Sequence, residues 1–140
     1  MGRRGVGRKK KKKKIVEVGM REELSVCEAP IMKIIWESNP DISVPELVKQ
    51  LNEQYGKEYA RTTVVTFLTR MAGKGYITTQ RRGRISYVHA IKSEQEYKQQ
   101  LAQKEIEFWF HGSMAEFAQT LCAAAPLTHE ECQKLRRLLD

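Results

Sequence analysis

The stretch from Arg61 to Arg84 carries six basic side chains and no acidic one. Within it Val64, Phe67, Leu68 and Met71 recur at i, i+3, i+4 and i+7, the spacing that lays one apolar stripe along a helix. The same periodicity turns Thr62, Thr63, Thr66, Thr69 and Arg70 away from that stripe, so short hydroxyls and arginines face outward. Such a surface suits the major groove of DNA, where Arg reaches guanine or phosphate and Thr reaches base edges without steric obstruction. Arg81, Arg82 and Arg84 surround Gly83 at the tip of an expected hairpin, placed to reach phosphates or the adjacent minor groove beside the helix. Whether Arg61 reads a base or holds phosphate stays open, and a solvated amphipathic helix would show the same periodicity.

The chain has 140 residues and a formal net charge of +8, and the excess is uneven. Residues 1–21 hold ten Lys or Arg against Glu17; residues 22–90 hold nine basic and eight acidic groups; residues 91–140 hold six and eight. Beyond the first segment the chain is near neutral, with its positive charge gathered between Arg61 and Arg84, and this segregation points to nucleic acid. Residues 1–23, with six consecutive lysines and interspersed glycines, are expected to be a disordered basic tail, through self-repulsion and low hydrophobicity. The tail reads either as an arm lying along phosphates or in the minor groove, or as an upstream extension with Met20 as the start.

Other function classes find little support. His89, His111 and His129 lie far apart, none joins a Ser, Cys or carboxylate constellation, and no glycine loop opens a helix after a strand. No catalytic residue, cofactor or metal site is expected. Cys27, Cys122 and Cys132 are an odd, widely spaced set that fits a reducing compartment, with Cys122 and Cys132 expected to be buried on helices. No apolar run approaches the roughly 20 residues needed to span a bilayer, so a cytoplasmic protein without membrane insertion is expected.

Five helix starts share one signature, a Ser or Thr followed three residues later by Glu: Ser25 with Glu28, Ser43 with Glu46, Ser93 with Glu96, Ser113 with Glu116, and Thr128 with Glu131. Pro30 sits awkwardly behind the first, which allows Glu28 as an alternative cap. Gly73 and Gly75 are expected to stop the Arg61–Met71 helix, and Tyr76 to Gln80 and Ile85 to Val88 read as a hairpin around Gly83. Three helices and a hairpin over residues 24–91 are the element order of a winged helix-turn-helix. Residues 92–140 read as helices only, with apolar Leu101, Phe108, Trp109, Phe110, Phe117, Leu121, Leu135 and Leu138. Fifty residues in three helices rarely build an independent core, so these side chains are expected to be covered by a second copy, which makes the segment a dimerisation region; the alternative is a monomer whose helices fold back on the winged helix. The expected fold class is mostly α with a small β-hairpin wing. A two-fold dimer implies a palindromic operator on double-stranded DNA.

Ile31, Met32, Lys33, Ile34, Ile35, Trp36, then Arg61 to Val64, Leu68 to Met71, Lys74 to Ile77, Gly83 and Tyr87, resemble the BlaI/MecI penicillinase-repressor family of bacterial winged-helix repressors. The resemblance continues through Phe110, His111, Gly112, Ser113 and the closing Leu127, Thr128, Glu130, Glu131, Leu135, Leu138, Leu139. It implies a homodimer that represses its target operon and is released by an inducer signal, one that ends in cleavage or loosening of the dimer region by a sensor-linked protease. The chain departs from the family pattern at Ala29, where an aromatic is usual, and at Ala60, where a helix-capping Ser is usual. Lys104 and Glu105 stand where penicillin-responsive members carry an Asn-Phe cleavage pair, and Cys122 and Cys132 stand singly where copper-responsive relatives carry Cys-x-Cys motifs. The alternative is a winged helix used for protein partners, or a metal- or redox-sensing regulator.

Overall fold

Reciprocal side-chain to backbone bonds start the first helix in the computed structural model, which describes residues 23–140. The Glu28 N–H donates to Ser25 Oγ at 3.2 Å and the Ser25 N–H to Glu28 Oε1 at 2.9 Å. A turn follows Ser25 and helix α1 runs Glu28–Glu37. Pro30 therefore falls in the first turn, where its missing N–H removes no helical bond. The tail expected over residues 1–23 lies outside the described residues save Glu23.

Strand β1, Ile42–Ser43, leads directly into α2, Val44–Tyr55, because the extended backbone of Ser43 serves both. Its hydroxyl accepts from the Glu46 N–H at 3.3 Å, and Gly56 ends the helix in the left-handed region at φ 61°. No local pattern in the sequence marks β1 as a strand. It forms because Ile42 and Ser43 pair antiparallel with Val88 and Tyr87 on a distant part of the chain.

Helix α3, Arg61–Gly73, closes through two bonds: Tyr76 N–H to Met71 C=O and Gly75 N–H to Ala72 C=O, both 3.1 Å. This closure needs a left-handed residue, and Gly75 supplies it at φ 88° while Gly73 stays helical. Strands β2, Ile77–Arg82, and β3, Ile85–Ala90, form a hairpin with a two-residue connection, Gly83 and Arg84. Arg81 and Arg82 are thus strand residues, paired with Ser86 and Ile85, and the tip is shorter than the sequence suggests. The sheet order is β1-β3-β2.

The chain divides into two compact units after Tyr97. In the first, Ile31, Met32, Ile34 and Ile35 of α1, Leu47 and Leu51 of α2, Val64, Leu68 and Met71 of α3, and Ile77 and Val88 of the hairpin form one core. Three helices backed by a three-stranded antiparallel sheet are a winged helix-turn-helix. Helix α4, Glu94–Phe110, begins in this unit. There the Tyr97 ring packs 5.8 Å from Trp36 and 5.7 Å from Tyr76, and the Trp36 indole donates to Lys92 C=O at 2.8 Å.

The second unit holds the rest of α4, then α5, Met114–Ala124, and α6, His129–Leu139. Ser113 and Thr128 cap α5 and α6, the latter as a full capping box with Glu131. Ser93 and Glu96 exchange the same pair of bonds ahead of α4. His111 at φ 52° and Gly112 at φ 81° turn the chain between α4 and α5. No helix among the described residues is long and apolar enough to cross a membrane.

Candidate nucleic-acid interface

Core packing decides which face of α3 remains free. Val64, Leu68 and Met71 are buried and Phe67 is half-buried, so the helix turns Arg61, Thr62, Thr63, Thr66 and Arg70 outward, all exposed. Thr62, Thr66 and Arg70 share one surface, with Arg61 and Thr63 at its two edges. Val65 lies on it too, 42% exposed, an apolar contact that sequence analysis did not single out.

The threonines are not chemically equivalent. Thr66 Oγ1 donates to Thr62 C=O at 3.0 Å, and Thr69 Oγ1 donates to Val65 C=O at 3.0 Å. With its one proton used inside the helix, Thr66 offers lone pairs and a methyl group, which suit a base amino group or a thymine methyl. The N-cap Ala60 provides no side-chain bond, so the first N–H groups of α3 are left for solvent or an anion.

A clamp in the preceding turn sets the entry of α3. The Asn52 side chain of α2 donates to Tyr59 C=O at 3.2 Å and accepts from Tyr59 N–H at 3.0 Å. The Tyr59 ring packs 5.7 Å from Phe67, and the Arg70 guanidinium lies 5.9 Å from that same Phe67 ring. Asn52 carries no sequence signal, because an Asn on a helix is ordinarily solvated.

The six basic groups between Arg61 and Arg84 separate into two kinds. Lys74 Nζ lies 2.6 Å from Glu28 Oε1 and also donates to Glu23 C=O at 3.1 Å, so it joins the end of α3 to the start of α1. Burial pushes the Glu28 carboxyl up, but the Lys74 ammonium and the Ser25 contacts outweigh it and hold the group below its ordinary value. Arg82 pairs with Asp41 and stacks 4.3 Å from the Tyr87 ring. Arg61, Arg70, Arg81 and Arg84 are exposed, and Arg81 Nε donates to Gly83 C=O at 3.2 Å beside the tip. Arg82, expected as a phosphate contact, holds Asp41 and Tyr87 on one side while its side chain stays 49% exposed.

In the second unit α5 and α6 bury no residue. Phe108, Trp109 and Leu138 are 71%, 64% and 80% exposed, Leu121 and Leu135 are exposed, and Leu101, Phe110 and Phe117 are half-buried. Phe110 packs edge-on against Phe117 at 5.5 Å, while the Trp109 indole donates to Glu105 at 2.8 Å. Cys122 is exposed and Cys132 partly so, unlike the buried pair expected, since α5 and α6 enclose no residue fully. Among the described residues no three His, Cys, Asp or Glu side chains group as a metal site.

Residues 24–140 match the profile of a family described as penicillinase repressor. Curated relatives include the methicillin resistance regulatory protein MecI of Staphylococcus aureus strain N315 and of Staphylococcus epidermidis. Each is 23% identical over 118 residues, covering 84% of this chain and 94% of the relative. The protein of the same name from Mammaliicoccus sciuri is 22% identical with the same coverage. A solution structure of the DNA-binding domain of the repressor BlaI is 27% identical, covers 53% of this chain and 87% of that one, and superposes with a TM-score of 0.46.

Proposed function

The chain belongs to the penicillinase repressor family, and from that premise we propose that this transcriptional repressor works as a homodimer on a two-fold-symmetric operator. Helix α3 enters the major groove, with Thr62, Thr63 and Thr66 against base edges and Arg61 and Arg70 against guanine or phosphate. Arg81 and Arg84 hold phosphates at the wing. The observation that carries this reading is the outer face of α3, polar and basic apart from Val65 and Ala72, on a helix whose other face is locked into the core.

Dimerisation is supported by the second unit, where whole aromatic and leucine side chains stay uncovered within one chain. Apolar surface of this extent is covered by a partner in a stable protein, and a second copy provides a self-complementary one. An inducer signal then acts on this unit in the cytoplasm, through a sensor-linked protease that cuts or loosens it; two half-sites are no longer held together and the operator is released.

The test is base discrimination. Changing Thr62, Thr63 or Thr66 to Ala should cost about 1 kcal/mol or more on a duplex from the chain's own upstream region and little on random duplex. Equal losses on both would remove α3 from the role of reader.

A further inference from the structure

The hairpin brings Arg82 of β2 and Tyr87 of β3 beside Asp41, the residue that leads into β1. Tyr87 of β3 pairs with Ser43 on one side and Gln80 on the other, so the three share a face. Arg82 lies two residues beyond Gln80 on β2 and therefore on that same face, while Asp41 immediately precedes β1. Arg82 reaches across the Tyr87 ring, 4.3 Å from its centroid, and pairs with Asp41 on the far side. Asp41 is only 17% exposed, and the strand is fastened again next to it, where His89 Nδ1 lies 2.8 Å from Pro40 C=O. Strand β1 pairs with β3 only at Val88 and Tyr87, so the outer half of the hairpin, Arg81 to Ser86, extends beyond it.

We propose that Arg82 is a positioning residue of the wing and not a phosphate contact: with Tyr87 and Asp41 it braces the overhanging hairpin against the helix-turn-helix, so that Arg84 meets DNA from a fixed place. The role rests on the DNA-binding reading above and goes beyond it, because it separates arginines that look equivalent in sequence. The guanidinium is stacked on a ring and gives Nη2 to a carboxylate only 17% exposed, so a phosphate would compete with Asp41 for a group that stays 49% exposed on its other side. Preorganising the tip instead spares the cost of ordering it during binding.

Arg82→Gln, Asp41→Asn and the double variant of the full chain distinguish the two roles, with a random duplex and a duplex selected from a random pool as probes. A brace predicts that each single variant weakens binding by about three- to tenfold, the factor for one or two side chains losing preorganisation. The double variant should be no weaker than either single, and the salt slope should be unchanged. Backbone order parameters of Gly83 and Arg84, measured by NMR without DNA, should fall in all three while the melting temperature stays close to wild type. A phosphate contact predicts otherwise: Arg82→Gln would lower the salt slope by about 0.9, and Asp41→Asn would bind as tightly as wild type or tighter. Either of those results, or unchanged order at the tip, overturns the proposal. A wild-type chain that binds neither duplex would instead refute the DNA-binding reading, while the order parameters still judge the brace.

Discussion

Replacing Glu28 with Gln tests whether the buried ion pair holds α3 against α1. Glu28 is 1% exposed and its carboxylate accepts from Ser25 N–H and from Lys74. Removing one partner of a buried pair costs about 3–5 kcal/mol, because the other is left uncompensated. Two features lower that figure. Gln keeps an acceptor oxygen for both donors, and the Lys74 side chain retains 25% exposure, so water relieves part of its stranded charge. About 2 kcal/mol should remain, equivalent to roughly 10 °C in melting temperature for a unit of this size. Urea unfolding of wild type and Glu28→Gln across a pH series measures it. The Glu28 pKa is lowered on folding from the ordinary 4.5. A group of that sign adds stability that is complete above its unfolded value and lost as pH falls through its folded value. The gap between the two proteins should therefore be full at neutral pH, begin to narrow near 4.5, and keep narrowing below it. Equal stabilities at neutral pH, or a gap that does not change with pH, would refute the reasoning.

Three further outcomes are expected. Arg84→Ala should weaken binding to selected and random duplexes alike and reduce the salt slope by roughly one phosphate contact, readable from a titration in added salt. Trp109→Asp combined with Leu138→Lys should yield monomers by light scattering that keep a folded winged helix and lose most operator affinity; a variant that stays dimeric contradicts the assigned interface. Asn52→Ala should destabilise the first unit by about 1–2 kcal/mol in urea unfolding, because the Tyr59 backbone groups it pairs lose their partner.

Much of the architecture can be read locally. Ser or Thr with Glu three residues on satisfies helix-start donors within a single turn, and all five such pairs lie at or just before a helix start. The apolar stripe of α3 is equally local, since helical geometry alone puts Val64, Leu68 and Met71 on one side and the threonines on the other. Charge segregation and the family resemblance needed no coordinates either. What the tertiary structure alone decided is which basic groups remain available: Lys74 meets a carboxylate 46 positions away and Arg82 one 41 positions away. The short strand β1 and the Asn52 clamp belong to the same class, because each exists only once packing has brought its partner alongside. Periodicity and capping act over one turn of chain and leave a mark in spacing. Pairing between distant side chains is set by how the core closes, and no local pattern encodes it.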